Sequence, residues 1–256
     1  MESTIFAGAV TVEEGGLFRR KPGQDSWESL QAGLPDRMKV YAIVEGQGDT
    51  LFVGAHQGVF RSDDGGESWA DMQVPADGRP IYSLLVHPGA PDTIYAGSAP
   101  AAIFKSQDGG ATWRRLATVQ PEGAITGCFP VRVLKMAVDP SDTDHIYAAL
   151  EVGGVIRSLD GGESWEDISG GLLELSHEPH LRNCILSDDL TEGMMDLHAL
   201  TVSAEQPGTL WIANRMGLFV SEDRGDSWRE FGIGRFSELQ YGRDLMVSPH
   251  DPKVFV

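Results

Sequence analysis

Five arginines stand in an acidic chain where guanidinium groups could gather an anion. Arg37, Arg79, Arg132 and Arg243 recur near the start of one strand of a repeat, and Arg182 lies in a long insertion. Guanidinium forks hold carboxylates and phosphates through paired hydrogen bonds, so a convergent set would bind an anionic ligand. The alternative is that each arginine pairs with a neighbouring surface carboxylate. Glycoside hydrolysis needs two carboxylates facing one sugar. The candidates are Glu151 and Asp196, with Asp188, Asp189 and Glu192 in the same insertion as Asp196, and the Glu238/Tyr241 pair further on. Among 38 acidic residues no pair stands out. His177, His180 and Cys184, with Cys128 in a neighbouring insertion and His198 nearby in sequence, carry imidazole and thiolate groups that could hold Zn²⁺. Pro179 opposes a helical H-x-x-H and no Cys-x-x-Cys pair supports it, so a polar loop with incidental histidines competes with this reading. No metal and no other cofactor is assigned.

The elements that must position these groups are set by a repeat. Four stretches share the form S-x-D-x-G-x-[ST]-W, here termed the box: Ser62 to Trp69, Ser106 to Trp113, Ser158 to Trp165 and Ser221 to Trp228. Their shared carboxylates are Asp64, Asp108, Asp160 and Asp223. A degenerate copy ends at Ser26-Trp27, with Pro22 in place of the Asp. Short apolar runs precede each box, such as Gly58-Val59-Phe60 and Gly217-Leu218-Phe219, and read as strands. The box is then a hairpin turn: a short carboxylate accepts backbone N–H groups, Gly takes φ > 0, and the hydroxyls satisfy what remains. The closing Trp is an apolar anchor for the seam between sheets. Upstream lies another strand, as in Ile5-Phe6-Ala7-Gly8, Leu51-Phe52-Val53-Gly54, Ile94-Tyr95-Ala96-Gly97, Ile146-Tyr147-Ala148-Ala149, Leu210-Trp211-Ile212-Ala213 and Val254-Phe255-Val256. A further strand precedes most of these. The unit is strand 1, turn, strand 2, loop, strand 3, box, strand 4, and four antiparallel strands in roughly 40 to 50 residues make the blade of an all-β propeller.

The boxes resemble the Asp-box (BNR) repeats of sialidases, xyloglucan-type glycoside hydrolases, the sortilin ectodomain and photosystem II assembly-factor propellers. The resemblance covers nearly the whole chain. It implies that Asp64, Asp108, Asp160 and Asp223 are structural pins at the blade periphery, away from any site. It implies no single function, because these families do unrelated things on one scaffold. Sialidases use an arginine triad for a substrate carboxylate and a carboxylate-activated Tyr. Their Phe/Tyr-Arg-Ile-Pro element is absent here, Gly78-Arg79-Pro80-Ile81 being only a distant echo.

With 20 Lys and Arg against 38 Asp and Glu, the net charge of −18 repels phosphate backbones and anionic membrane surfaces, which argues against a nucleic-acid partner. No signal peptide and no bilayer-length apolar run is visible, so a soluble, cytoplasmic, monomeric protein without membrane insertion is expected. Cys128 and Cys184 are expected as free thiols, although one bridge stays open. Residues 1–256 are read as a single propeller domain. Five to six blades are present, the first opening at strand 2 and the last stopping inside strand 2, so a native ring of six or seven blades with a further ~40 to 90 residues is expected. The alternative is a closed five-bladed ring.

Length variation is confined to one loop class. From the strand 1 valine to the box Trp (Val44 to Trp69, Val86 to Trp113, Val138 to Trp165, Val202 to Trp228) the spacing is 25 to 27 residues. From the Trp to the next strand 1 it is 17 twice, then 25 from Trp113 to Val138 and 37 from Trp165 to Val202. Rigid scaffolds carry recognition on such loops, so residues 114–132 and 166–196 are the expected site walls, with tolerated surface insertions as the alternative. The reading adopted is a non-catalytic recognition or scaffold propeller that binds a partner protein, carbohydrate or other small ligand on the strand 4-to-1 loop face. A sialidase-like or xyloglucanase-like glycoside hydrolase is the alternative.

Overall fold

A computed structural model describes residues 3–10, 15–125, 129–235 and 242–246. The fold is all-β, with five antiparallel sheets that are β-propeller blades. The first sheet has three strands: β1 (Ile5–Ala9), β2 (Gly16–Arg20) and β3 (Glu28–Leu30). Four-stranded sheets follow: β4 (Val40–Glu45) to β7 (Ala70–Asp71), β8 (Ile81–Val86) to β11 (Arg114–Arg115), β12 (Arg132–Asp139) to β15 (Glu166–Asp167), and β16 (Leu197–Val202) to β19 (Arg229–Glu230). Their second strands are β5 (Leu51–Ala55), β9 (Ile94–Ser98), β13 (Asp142–Glu151) and β17 (Leu210–Asn214), and their third strands β6 (Gly58–Ser62), β10 (Ile103–Ser106), β14 (Gly154–Ser158) and β18 (Gly217–Ser221). The expected strand at the C-terminal Val254-Phe255-Val256 lies outside the described residues. Among the described residues no helix is long and apolar enough to cross a membrane.

The chain forms two compact units, one of residues 1–99 and 104–115, the other of residues 100–103 and 116–256. Each has its own core. In the first unit Leu17, Leu30, Met38, Val53, Phe60 and Trp69 pack together, and in the second Tyr147, Val155, Leu172, Leu200, Ile212, Phe219 and Trp228 do so. Second strands are buried along their whole length in β5 and β9, as sheets covered on both faces require.

Every box closes the same way. In the first, Asp64 Oδ1 accepts the Ser62 hydroxyl at 2.7 Å and the Ser68 N–H at 2.9 Å, Asp64 Oδ2 accepts the Ser68 hydroxyl at 2.6 Å, and Ser62 Oγ accepts the Gly66 N–H at 2.8 Å. The fourth and fifth box positions have φ of +67° and +88° at Gly65-Gly66, and +63° and +95° at Arg224-Gly225, a region that glycine enters without strain. Three of the indoles turn back into the box: Trp69, Trp113 and Trp165 donate Nε1–H to the carbonyls of Gly66, Gly110 and Gly162. Trp228 departs from this and donates at 2.9 Å to Ile168 O, tying the fifth sheet to the fourth.

One clamp was not read from the repeat. The residue before the first box position is Arg19, Arg61, Lys105, Arg157 and Val220 in successive sheets, that position being Arg20 in the degenerate first copy and Ser in the others. Arg19 Nη1 donates to Gly65 O at 3.1 Å, Arg61 Nη1 to Gly109 O at 2.6 Å and Arg157 Nη1 to Arg224 O at 2.8 Å, each reaching the fourth position of the next sheet's box. Where that box carries an acid at its sixth position the same guanidinium pairs with it, Arg19 with Glu67 and Arg157 with Asp226, both at 2.9 Å.

Hydrogen bonds from Ser68, Thr112 and Ser164 hold the carboxyls of Asp64, Asp108 and Asp160 at about 2, below the ordinary 3.8. At Asp223 burial opposes the shift, but the Ser227 hydroxyl and N–H outweigh it and the carboxyl is again lowered. Carboxyls lowered by folding stabilise fully above the unfolded value, and that stabilisation is lost as pH falls through the folded value. The melting temperature should therefore drop as pH falls from about 4 to about 2. Asp108→Asn should be less stable at neutral pH and show a shallower acid slope. An acid slope identical to that of the parent chain would contradict this account.

Candidate functional site

In the four-stranded sheets, the second or third residue of strand 1 is set in a β-bulge. The register skips Tyr41 between Val40 and Ala42, Tyr82 between Ile81 and Ser83, Leu134 between Val133 and Lys135, and His198 between Leu197 and Ala199. Bulges re-aim a side chain and recur beside functional sites. In the first unit the two bulge tyrosines stack, with ring centroids 4.3 Å apart and planes inclined by 24°. In the second unit the bulge position of the last sheet carries an imidazole.

His198 is 9% exposed and its Nε2 lies 3.1 Å from Asp196 Oδ2, two residues back at the end of the short helix α2 (Glu192–Met195). α1 (Gly170–Leu175) lies earlier in the same insertion. Arg215 Nε donates to the same Asp196 Oδ2 at 3.0 Å. Arg215 opens the turn between β17 and β18, and Asn214 shapes that turn: its Oδ1 accepts the N–H groups of Met216 and Gly217, and its Nδ2 donates to Met194 O. Glu151 ends β13 directly opposite Arg132, which starts β12, and Arg132 Nη1 donates to Glu151 Oε2 at 2.7 Å. The Arg132 guanidinium also sits 4.6 Å above the Phe129 ring. Donor atoms of Glu151, Asp196 and His198 all lie within 4.8 Å of one another. Two carboxylates, two guanidiniums and an imidazole thus meet where strand 2-to-3 turns and strand 4-to-1 loops end.

Both enlarged loops fold onto this place. Ile125 from the first insertion, Met195 from the second and Val152 from the intervening turn form one apolar cluster with Phe129, Val131 and Leu173. Ile125 N donates to Val152 O at 2.8 Å, and Glu122 N to Asp167 Oδ2 at 3.2 Å. A Cβ on Gly123 would stand 2.6 Å from Leu173, so the two segments touch closely. The long insertion, expected as a loop, contains α1, α2 and a 3₁₀ turn at Pro179–Leu181.

The other sequence candidates are dispersed. Arg37, at φ +53°, and Arg79 belong to the first unit. Arg182 is exposed and donates to its own loop, to His177 O at 2.7 Å. Arg243 is exposed beside Asp244, whose carboxylate takes the Lys135 ammonium at 2.9 Å. Asp188 and Asp189 are exposed, whereas Glu192 is fully buried and spends its carboxylate on the backbone of residues 185–187. His177 and Cys184 are exposed, and His180 pairs with Glu230 at 3.0 Å. Among the described residues, the donor group of metal-binding size is Glu151, Asp196 and His198 rather than these three. Glu238, Tyr241 and Cys128 lie outside the described residues. Arg215 was not singled out from the sequence. Aligning the second strands would have flagged it, since it occupies the position of Glu151.

Comparison with known proteins adds a family and a fold. The family model of the DUF6242 beta propeller domain matches residues 11–171, more than half of the chain. The oligoxyloglucan-reducing end-specific xyloglucanase of Emericella nidulans is 30% identical over 92 residues, covering 36% of this chain and 11% of that enzyme. The photosystem II assembly lipoprotein Ycf48 of a Synechococcus strain is 26% identical over 129 residues, covering 49% of this chain and 36% of that protein. The crystal structure of an ancestral GH74 enzyme superposes with a TM-score of 0.69 at 17% identity, over 98% of this chain and 33% of that one. That likeness is one of fold, and the chain spans well under half the length of each of these proteins.

Proposed function

The chain belongs to the DUF6242 beta propeller domain family, and from that premise we propose that it is a non-catalytic recognition or scaffold propeller. It binds a partner protein or small ligand on the strand 4-to-1 loop face of its second unit. One observation carries the reading: the two insertions that break the repeat pack together through Ile125, Met195 and Leu173, beside a cluster of Arg132, Glu151, Asp196, His198 and Arg215. Tolerated insertions have no reason to share a core, whereas the walls of a site do. The side chains of Arg132 and Arg215 remain 29% and 41% exposed, accessible to a carboxylate or to sugar hydroxyls.

Glycoside hydrolysis is the second reading, favoured by the meeting of Glu151 and Asp196. The grouped oxygens lie within 4.8 Å, short of the ~6.5–9.5 Å of an inverting pair and nearer the ~5–5.5 Å of a retaining one, so hydrolysis here would have to be of the retaining kind. Each carboxylate is also engaged by an arginine, an arrangement that holds donors in place rather than delivering a proton.

Xyloglucan oligosaccharides and short peptides ending in a free carboxylate, titrated calorimetrically against the purified chain, separate the readings. Binding without release of reducing ends, weakened at least about tenfold by Arg132→Ala or Arg215→Ala, is the expected result. Turnover abolished by Glu151→Gln would replace recognition with hydrolysis.

A further inference from the structure

We propose that Glu151, Asp196 and His198 form a binding site for one divalent transition-metal cation of the zinc type. Three donors of suitable chemistry, two carboxylates and an imidazole, already lie within 4.8 Å of one another. Ligands about 2.0–2.1 Å from a tetrahedral metal stand roughly 3.3–3.5 Å apart, so the three side chains need shifts on the order of 1 Å to reach ligating distance.

A second observation is independent of the clustering. Asp196 is 3% exposed, and its Oδ1 is buried with no hydrogen-bond partner, while Oδ2 is shared by His198 and Arg215. A buried carboxylate oxygen without a donor is costly unless something else compensates it. A cation on Oδ1 would do so and leave Arg215 on the other oxygen. Arg132 on Glu151 Oε2 plays the same part, as outer partners of ligating carboxylates do.

Charge decides whether a cation can enter at all. Two guanidiniums offset two carboxylates, so the cluster itself neither attracts nor repels a divalent ion strongly. The field of a chain with net charge −18 draws cations toward it. Imidazole in the donor set selects zinc-like metals over Mg²⁺ and Ca²⁺, which take oxygen ligands. Three protein ligands leave the fourth tetrahedral position to water or to a donor atom of a bound molecule. The inference does not depend on the recognition reading, since the metal alone is the probe.

The test is calorimetric titration of the chelator-stripped chain with ZnCl₂, alongside Co²⁺ absorption spectroscopy. One equivalent should bind, and His198→Ala and Glu151→Gln should each weaken binding by at least about tenfold. His180→Ala, which alters an exposed histidine outside the cluster, should leave it unchanged. Because His198→Ala removes a buried side chain, its circular dichroism is checked, and the more accessible Glu151→Gln supplies the same readout in a chain that folds. Visible Co²⁺ bands typical of tetrahedral coordination, lost in Glu151→Gln, would support the site. Failure of the parent chain to bind zinc at one equivalent would overturn the proposal. So would binding that survives both cluster variants or is lost with His180→Ala.

Discussion

Glu192→Ala should destabilise the long insertion by about 3–5 kcal/mol, more than any other substitution of a charged residue considered for this protein. The Glu192 carboxylate is fully buried and accepts the N–H groups of Ile185 at 2.8 Å, Leu186 at 3.0 Å and Ser187 at 2.9 Å, and the Ser187 hydroxyl at 2.8 Å. Burial would push its carboxyl up, but the amides of Ser187 and Ile185, with the Ser187 hydroxyl and the Leu186 amide, prevail and hold it at about 2 rather than 4.5. Removing it orphans three backbone donors at once, and each charge-assisted bond lost costs roughly 1.5–3 kcal/mol before local relaxation. Relaxation is available, because the segment can open to water without unfolding the sheets. The expected signature is therefore local: amide exchange at residues 185–187 accelerates and proteolysis begins there, while the β16–β19 sheet stays protected. Glu192→Gln should cost less, because the amide oxygen can replace Oε2, which accepts four of the five hydrogen bonds, and only the charge and the Leu186 contact of Oε1 are lost. Parental exchange rates at residues 185–187 in Glu192→Ala would show that the carboxylate does not hold this segment.

The consequence reaches the site, because Glu192 begins the helix that ends at Met195, and Asp196 follows directly. This part of the molecule was hidden in the sequence for identifiable reasons. α1 opens on Gly170-Gly171, and neither Ser169 nor Thr191 makes a side-chain capping bond, so the usual start signals are missing or silent. Glu192 carries the same residue type as its exposed neighbours Asp188 and Asp189, and only the fold separates a carboxylate that closes a loop from one facing water. His198 was visible as a residue but not as a member of the cluster. Its run, Leu197-His198-Ala199-Leu200, reads as uninterrupted strand, and the bulge that re-aims it leaves no mark on the hydrophobic pattern.

Strands and turns were far more legible. Leu51, Ile94 and Leu210 begin second strands where the apolar runs place them, and the box supplies both the φ > 0 glycines and the hydroxyl–carboxylate closure that its residue types suggest. Each box is a local motif, so its hydroxyl–carboxylate closure follows from residues at most four apart. What joins one box to the preceding sheet is not local. Arg19 reaches Gly65 across 46 residues and Arg157 reaches Arg224 across 67, and a single arginine at this place carries no signal until the copies are aligned.

That alignment leads to the second large effect: Arg157→Ala should destabilise the second unit by about 2–3 kcal/mol, lowering its melting temperature by roughly 4–10 °C. The side chain is 10% exposed, and its guanidinium touches Glu166 at 2.8 Å, Asp226 at 2.9 Å and Arg224 O at 2.8 Å. Burial would lower its proton affinity, but the hydrogen bonds it donates to Glu166 and Asp226 prevail and raise it, so it stays charged across the folding range. The acidic partners are 53% and 66% exposed, and ion pairs to such groups contribute about 0–1 kcal/mol each. The larger share must come from the Arg224 carbonyl, left without its charged donor where Arg224 is held at φ +63°. Two further variants separate these parts. Asp226→Asn should cost under about 1 kcal/mol, and Arg157→Lys, with one ammonium for three acceptors, should fall between Asp226→Asn and Arg157→Ala. Should Asp226→Asn cost as much as Arg157→Ala in urea denaturation, the clamp would act through the ion pair and not through the box carbonyl. Val220, at the same position in β18, carries no guanidinium and can make neither contact, so this clamp belongs to Arg19, Arg61 and Arg157 among the described residues.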